Sequence, residues 1–127
     1  MVRLALVPGK GRGLLACEAI AAGSRIERAP AVRLAPADRA VIDRTALFAY
    51  TFVEPDRFGS DDHGCLLAFG QLTFCNHSEH PNAVIRWCED DIGPWAELEA
   101  LQPIAAGEEI TLFYTNISEY SAGDLFI

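Results

Sequence analysis

Short apolar runs closed by glycine or proline recur along the 127-residue chain, and that punctuation commits it to a fold of brief extended segments. Val2 to Val7 ends at Pro8-Gly9. Leu14 to Cys17 and Arg25 to Leu34 follow, separated by glycine-containing turns, and Cys65 to Phe69, Ala83 to Cys88, Trp95 to Leu101 and Glu109 to Tyr114 complete the set. Runs of four to ten such residues between turn formers are strand signals. One stretch reads as helix, Pro36 to Phe48, with Pro36 at its start, Asp38 in the first turn and Val41, Ile42, Ala46 and Leu47 at helical spacing. Tyr50 to Val53 reads as extended and Glu54 to Gly64 as a polar loop. The expectation is one mostly β domain spanning residues 1–127. Half of the residues are apolar, enough for a packed core and too many for a disordered chain.

The frame Ile-Ala-Ala-Gly-x-x-Ile occurs twice, at Ile20 to Ile26 and at Ile104 to Ile110, 84 residues apart. Two copies are too few for a solenoid; each reads as a glycine turn feeding a strand of the same domain. No apolar run reaches the roughly 18 residues of a membrane span. The amino terminus resembles neither a signal nor a transit peptide, so a cytoplasmic location without membrane contact is expected. In that setting Cys17, Cys65, Cys75 and Cys88 are expected as buried free thiols.

Charge is divided unevenly. Residues 1–53 carry eight basic and four acidic side chains, a net +4, whereas residues 54–127 carry two basic and fourteen acidic, a net −12. An acidic half repels phosphate backbones and attracts cations, which argues against nucleic acid and for a basic protein or peptide partner. The plainer reading is a solvated face that keeps the domain soluble.

Three constellations are candidates for chemistry. Gly11-Arg12-Gly13-Leu14-Leu15 is a glycine-flanked turn between two strands, which lets main chain approach a ligand; without a following helix it is no phosphate loop, and a hairpin turn accounts for it. Phe74-Cys75-Asn76-His77-Ser78-Glu79-His80-Pro81-Asn82 crowds residues that bond their own backbone, the mark of a fixed irregular loop. Gly107 to Tyr114 is an acidic turn entering what reads as an edge strand with a core aromatic. Cys75, His77, His80 and Cys88 include zinc-ligand types, but without a Cys-x-x-Cys knuckle no metal is expected. A Cys and His nucleophile pair is disfavoured by the apolar frame around Cys75, which suggests a buried, inert thiol.

In this order and spacing the three segments resemble the SET domain of protein-lysine methyltransferases. GRGLLACEAIAAGSRIERAP looks like the first cofactor motif of that family, FCNHSEHPNA like its asparagine-histidine motif, and GEEITLFY like its terminal tyrosine motif. The resemblance implies several small antiparallel sheets with one or two short helices and a C-terminal pseudoknot. It implies methyl transfer from S-adenosylmethionine to lysine, with the cofactor held by Gly11, Arg12, Gly13, Leu14, Asn76 and His77, largely through main chain. Tyr114 becomes the catalytic tyrosine, and Tyr50 and Leu112 line the lysine channel. Leu112 stands where many relatives have an aromatic residue that influences how many methyl groups are added. The alternative is a catalytically silent SET-like module that binds a basic peptide; a small zinc-binding protein is the weakest reading.

The tail departs from the family pattern. Thr115 replaces the usual glycine, and residues 115–127 lack the cysteines with which many relatives close the channel around zinc. Closure is then expected from Tyr120 or Phe126, or from a second subunit in a homodimer.

Overall fold

The computed structural model describes residues 1–53 and 64–120, whose strands form two four-stranded sheets. Strands β1 (Val2–Val7) and β2 (Gly11–Ala16) make an antiparallel hairpin, in register from Val2 opposite Ala16 to Val7 opposite Gly11. The reversal is made by Pro8 to Lys10, where Gly9 takes φ +79° and the Lys10 N–H donates to the Val7 carbonyl (2.9 Å). The Gly-Arg-Gly segment therefore lies inside β2 and is not the turn, because Pro8-Gly9 already supplies the bend.

β3 (Arg25–Leu34), β4 (Cys65–Ala68), β6 (Ala83–Asp90) and β7 (Gly93–Ala100) form the second sheet, in the order β4-β3-β7-β6. Pro30 is opposite Trp95 on β7, and from Ala31, opposite Ala68, β3 pairs with β4 instead. A residue without an N–H is tolerated at that change of partner. The short β5 (Asn76–His77) and β8 (Glu109–Leu112) belong to the first sheet, ordered β1-β2-β8-β5. β8 runs antiparallel to β2 and parallel to β5. It is thus an interior strand and not the edge strand its pattern suggested, and Ile110, Thr111 and Leu112 are all buried, as expected when both faces are covered.

Helix α1 (Pro36–Ile42) is shorter than the periodicity predicted. Thr45 ends it: its hydroxyl donates to the Ile42 carbonyl (2.7 Å) and accepts from the Leu47 N–H (3.2 Å), capping a separate 3-10 turn, Ala46–Tyr50. Only Thr51 to Val53 of the predicted extended segment lies beyond that turn, with Phe52 bridging to Leu66. All but Gly64 of the predicted polar loop, residues 54–63, lies outside the described residues.

The two Ile-Ala-Ala-Gly frames meet. Ile20 and Ile104 exchange both backbone hydrogen bonds (2.8 and 2.9 Å). Gly23 N–H donates to the Ala100 carbonyl (2.8 Å) and Gly107 N–H to the Ala16 carbonyl (2.7 Å); Ala100 and Ala16 N–H donate in return to Ser24 and Glu108. Both glycines take positive φ, +81° and +86°. Each contact recurs with the copies exchanged, so the repeat is a local two-fold that fastens the two sheets together.

The core is built around Leu14, Leu72, Leu98, Ile104 and Ile110, with alanines at seven further buried positions. Part of the charge asymmetry is taken up by ion pairs between the two halves, most of them at the surface: Arg25 and Arg28 on β3 meet Glu97, Arg33 meets Glu89, and Lys10 meets Glu109. The four cysteines are free, but Cys17, in the bend just past β2, and Cys88, on the solvent side of β6, are exposed, whereas Cys65 and Cys75 are buried as expected. Among the described residues no helix is long and apolar enough to cross a membrane.

Candidate active site

The site is assembled by the segment leaving β4. Glu27, on β3, turns its carboxylate onto the start of a second 3-10 turn, Gln71–Phe74, accepting from the Gln71 N–H (3.0 Å) and the Leu72 N–H (2.7 Å). Gly70 permits the approach, since a Cβ there would stand 2.8 Å from the same carboxylate. Orphan amides at the head of the turn are thereby satisfied, and Thr73, Phe74 and Cys75 acquire fixed positions.

Asn76 follows, buried beside β2 and β8. Its Nδ2 donates to the Arg12 carbonyl (3.2 Å) and to Glu109 Oε2 (2.8 Å), while its buried Oδ1 has no partner among the described residues. The two acceptors fix which end of the amide is nitrogen. A Cβ at position 13 would lie 2.9 Å from both Asn76 Nδ2 and Glu109 Oε2, so glycine is what lets this pair close over β2. Asn82 ties the far end of the loop to β8: its Oδ1 accepts from the Thr111 N–H (2.9 Å) and its Nδ2 donates to the Glu109 carbonyl (2.8 Å).

Tyr114, just past β8, is held at both ends. Its N–H donates to His77 Nδ1 (3.0 Å), which places the proton of a neutral His77 on Nε2. Its hydroxyl donates to the Cys75 carbonyl (2.6 Å). The single phenolic proton is thus engaged, and the oxygen offers lone pairs to anything placed before it. Burial, reinforced by Tyr120, pushes the phenol above its ordinary range, so it stays protonated and is no general base near neutrality. Burial likewise raises the Cys75 thiol and leaves it unreactive, against the nucleophile reading.

Two hollows converge on Tyr114. The narrower, about 90 Å³, is bordered by Lys10, Gly11, Arg12 and Phe74, with the Arg12 guanidinium 4.5 Å from the Phe74 ring centre. The wider, about 160 Å³, extends past Leu112 and Tyr120 to β6. Ala49, Tyr50, Thr73, Cys75 and Tyr114 border both. Of the residues singled out by sequence, Gly11, Arg12, Tyr50, Leu112 and Tyr114 border this double cavity. Gly13, Leu14, Asn76 and His77 are buried behind it, in β2 and β5. No three His, Cys, Asp or Glu side chains converge as a metal site among the described residues.

The tail comes back over the cavity. A third 3-10 turn, Ile117–Glu119, is fastened to α1 by Arg39, which donates to both oxygens of Glu119 (2.8 and 3.1 Å) and pairs with Asp43. Tyr120 is thereby set between Tyr114 (5.3 Å between ring centres) and Phe48 (4.9 Å). Phe126 lies outside the described residues. Sequence reasoning missed Glu27, Thr73, Phe74 as a site wall and Arg39. Glu27 had no signal, because an acidic residue in an alternating strand reads as solvated; Phe74, adjoining the asparagine-histidine pair, had one.

Comparison with known proteins agrees with this architecture. The crystal structure of a Plasmodium falciparum protein named as a candidate histone methyltransferase superposes with a TM-score of 0.71 at 22% identity, covering 95% of this chain and 99% of that one. No curated protein matches the sequence. The SET domain family profile matches residues 11–115, from the first strand of the hollow's rim to the residue after Tyr114. The chain belongs to the SET domain family.

Proposed function

We propose that this protein transfers methyl groups to the side-chain amine of lysine in a protein substrate, with S-adenosylmethionine as donor. The observation that carries this reading is the pair of hollows: two hollows of different character share Tyr114 as a wall, and its hydroxyl hydrogen is already held by the Cys75 carbonyl, so that its oxygen is free to accept. An in-line displacement needs that plan, with donor and acceptor entering from separate sides and meeting at one point.

The narrower hollow suits the donor. The exposed edge of β2 at Gly11 and Arg12 offers main chain, the Phe74 ring and Arg12 guanidinium offer stacking, and the orphaned Asn76 Oδ1 marks an unsatisfied acceptor in the wall behind. The chemistry supplied by S-adenosylmethionine, when bound, is a methyl group on a positively charged sulfur. Lys10, Gly11, Arg12 and Phe74 would hold it, with Asn76 and His77 fixing the loop they stand on.

The wider hollow suits the lysine. Its ordinary pKa of about 10.4 leaves it protonated and non-nucleophilic at neutral pH, and a wall of Tyr50, Leu112, Tyr114 and Tyr120 disfavours the ammonium by desolvation. The Tyr114 oxygen, its hydroxyl hydrogen bonded to the Cys75 carbonyl, would accept an amine N–H and aim the nitrogen lone pair toward the donor side. A neutral amine held there would be placed to receive the methyl group that the donor supplies. With Tyr114 unable to take a proton, the amine loses it to water on entry.

The test is incubation of the purified chain with methyl-labelled S-adenosylmethionine and lysine peptides, with calorimetry of donor binding alongside. Label on lysine is expected. Failure of folded protein to bind the donor would overturn the reading, and binding without transfer to any peptide would leave a silent module.

A further inference from the structure

The wider hollow is longer than a lysine side chain needs. Its wall follows β6 from Ala83 to Trp87, roughly 13 Å at about 3.3 Å per residue. Asn82 fixes the Ala83 end against Thr111 and so toward Tyr114, which leaves Trp87 remote from the chemistry. None of the described residues bordering this hollow is acidic, basic or histidine. On its border Leu101 and Phe113 leave 48% and 49% of their surface to water, and Trp87 is braced edge-on by Phe52, 5.5 Å away. An uncharged trough continuous with the Tyr114 cavity, with large apolar side chains open at its border, asks for apolar cover.

We infer that the substrate is an extended segment carrying apolar side chains two and four residues to one side of the target lysine. The inference rests on the proposed lysine methyl transfer and names the substrate class for the same site. In an extended chain, residues i, i+2 and i+4 share a face at intervals of about 6.6 Å. With the lysine at Tyr114, the second and fourth residues fall opposite Ile85 and Trp87. The net charge of −8 still attracts cationic chains at long range. Inside the trough the described residues give a basic neighbour no counter-charge, and burying it there is unfavourable.

Two readouts test this on the full chain. Matched peptides with one lysine carry leucine, serine or arginine at the second and fourth positions, on either side. Their kcat/KM for label transfer is compared, and their binding is followed by Trp87 emission in a Trp95→Phe background, which leaves Trp87 as the only indole. Leucine on one side is expected to raise kcat/KM about tenfold over serine, mainly through KM, with a saturable emission shift. Trp87→Ala should lower the leucine-to-serine ratio. Because Trp87 also braces Phe52, the exposed Leu101→Asp serves as a second variant with the same expected direction. Equal use of serine or arginine peptides, with label transferred, overturns the inference and leaves the transferase reading intact. A leucine-selective emission shift without any transfer supports the trough and overturns the transferase reading; neither signal with any peptide overturns both.

Discussion

Tyr114 joins the fold to the proposed chemistry through one hydroxyl, which donates to the Cys75 carbonyl. Tyr114→Phe leaves the Cys75 carbonyl without its 2.6 Å donor, for an expected stability loss of about 1 kcal/mol by denaturant titration. If the oxygen positions the amine, the single-turnover rate falls further, roughly 100-fold, while calorimetry finds donor affinity unchanged. Equal rates would return Tyr114 to packing. The buried acids predict a pH response as well. Burial raises Cys75, Cys65 and Tyr114 above their unfolded values of about 8.5 for thiols and 10 for phenol. Above those values the unfolded chain releases protons that the native chain keeps, so stability falls as pH rises from about 8.5, and more steeply past 10. Denaturation midpoints across that range check it, and Cys75→Ala should flatten the first part of the fall. Tyr114 and the Asn76-His77 pair were legible because their side chains carry the motif. The Cys75 carbonyl, which holds the tyrosine, was not, since a main-chain acceptor leaves no mark in a sequence.

Among the elements, the latch between α1 and the last described 3-10 turn holds the tail against the cavity. Arg39 is 8% exposed and grips Glu119 with two hydrogen bonds, and that grip sets Tyr120 against Tyr114. Arg39→Ala is expected to lower stability by about 2 kcal/mol, less than for a fully buried pair because Glu119 is partly solvated. It should raise KM for the peptide more than it lowers kcat, with partial recovery in Arg39→Lys; steady-state kinetics and thermal unfolding decide it. The strand pattern was read well at β1, β3 and β6, where glycine or proline marks the ends. Helix α1 was overextended because the apolar spacing continues through Leu47, while the signal that stops it is the single hydroxyl of Thr45.

For the molecule as a whole, the paired Ile-Ala-Ala-Gly frames make a quantitative claim. Gly23 and Gly107 have nearly equal positive φ and open space where a Cβ would stand, so only backbone strain opposes alanine. Gly23→Ala and Gly107→Ala should each cost about 1–2 kcal/mol, and the two losses should agree within about 0.5 kcal/mol, by chemical denaturation. Unequal losses would mean that the two-fold is one of shape and not of energy. The repeat was visible in the sequence, but its halves being partners was not, since likeness between segments says nothing of contact. The charge asymmetry likewise showed plainly, while the pairing of β3 arginines with acids of β6 and β7 required the strand order. That order also sets a timetable. β8 occupies a slot between β2 and β5, both made earlier, so during synthesis the gap must be held open, or reopened, until residues 109–112 leave the ribosome. Before then Asn76 lacks Glu109, Asn82 lacks Thr111 and His77 lacks Tyr114. A chain that stops short of residue 114 therefore cannot hold a finished site, and assembly of the site is an all-at-once event gated by residues 109–114.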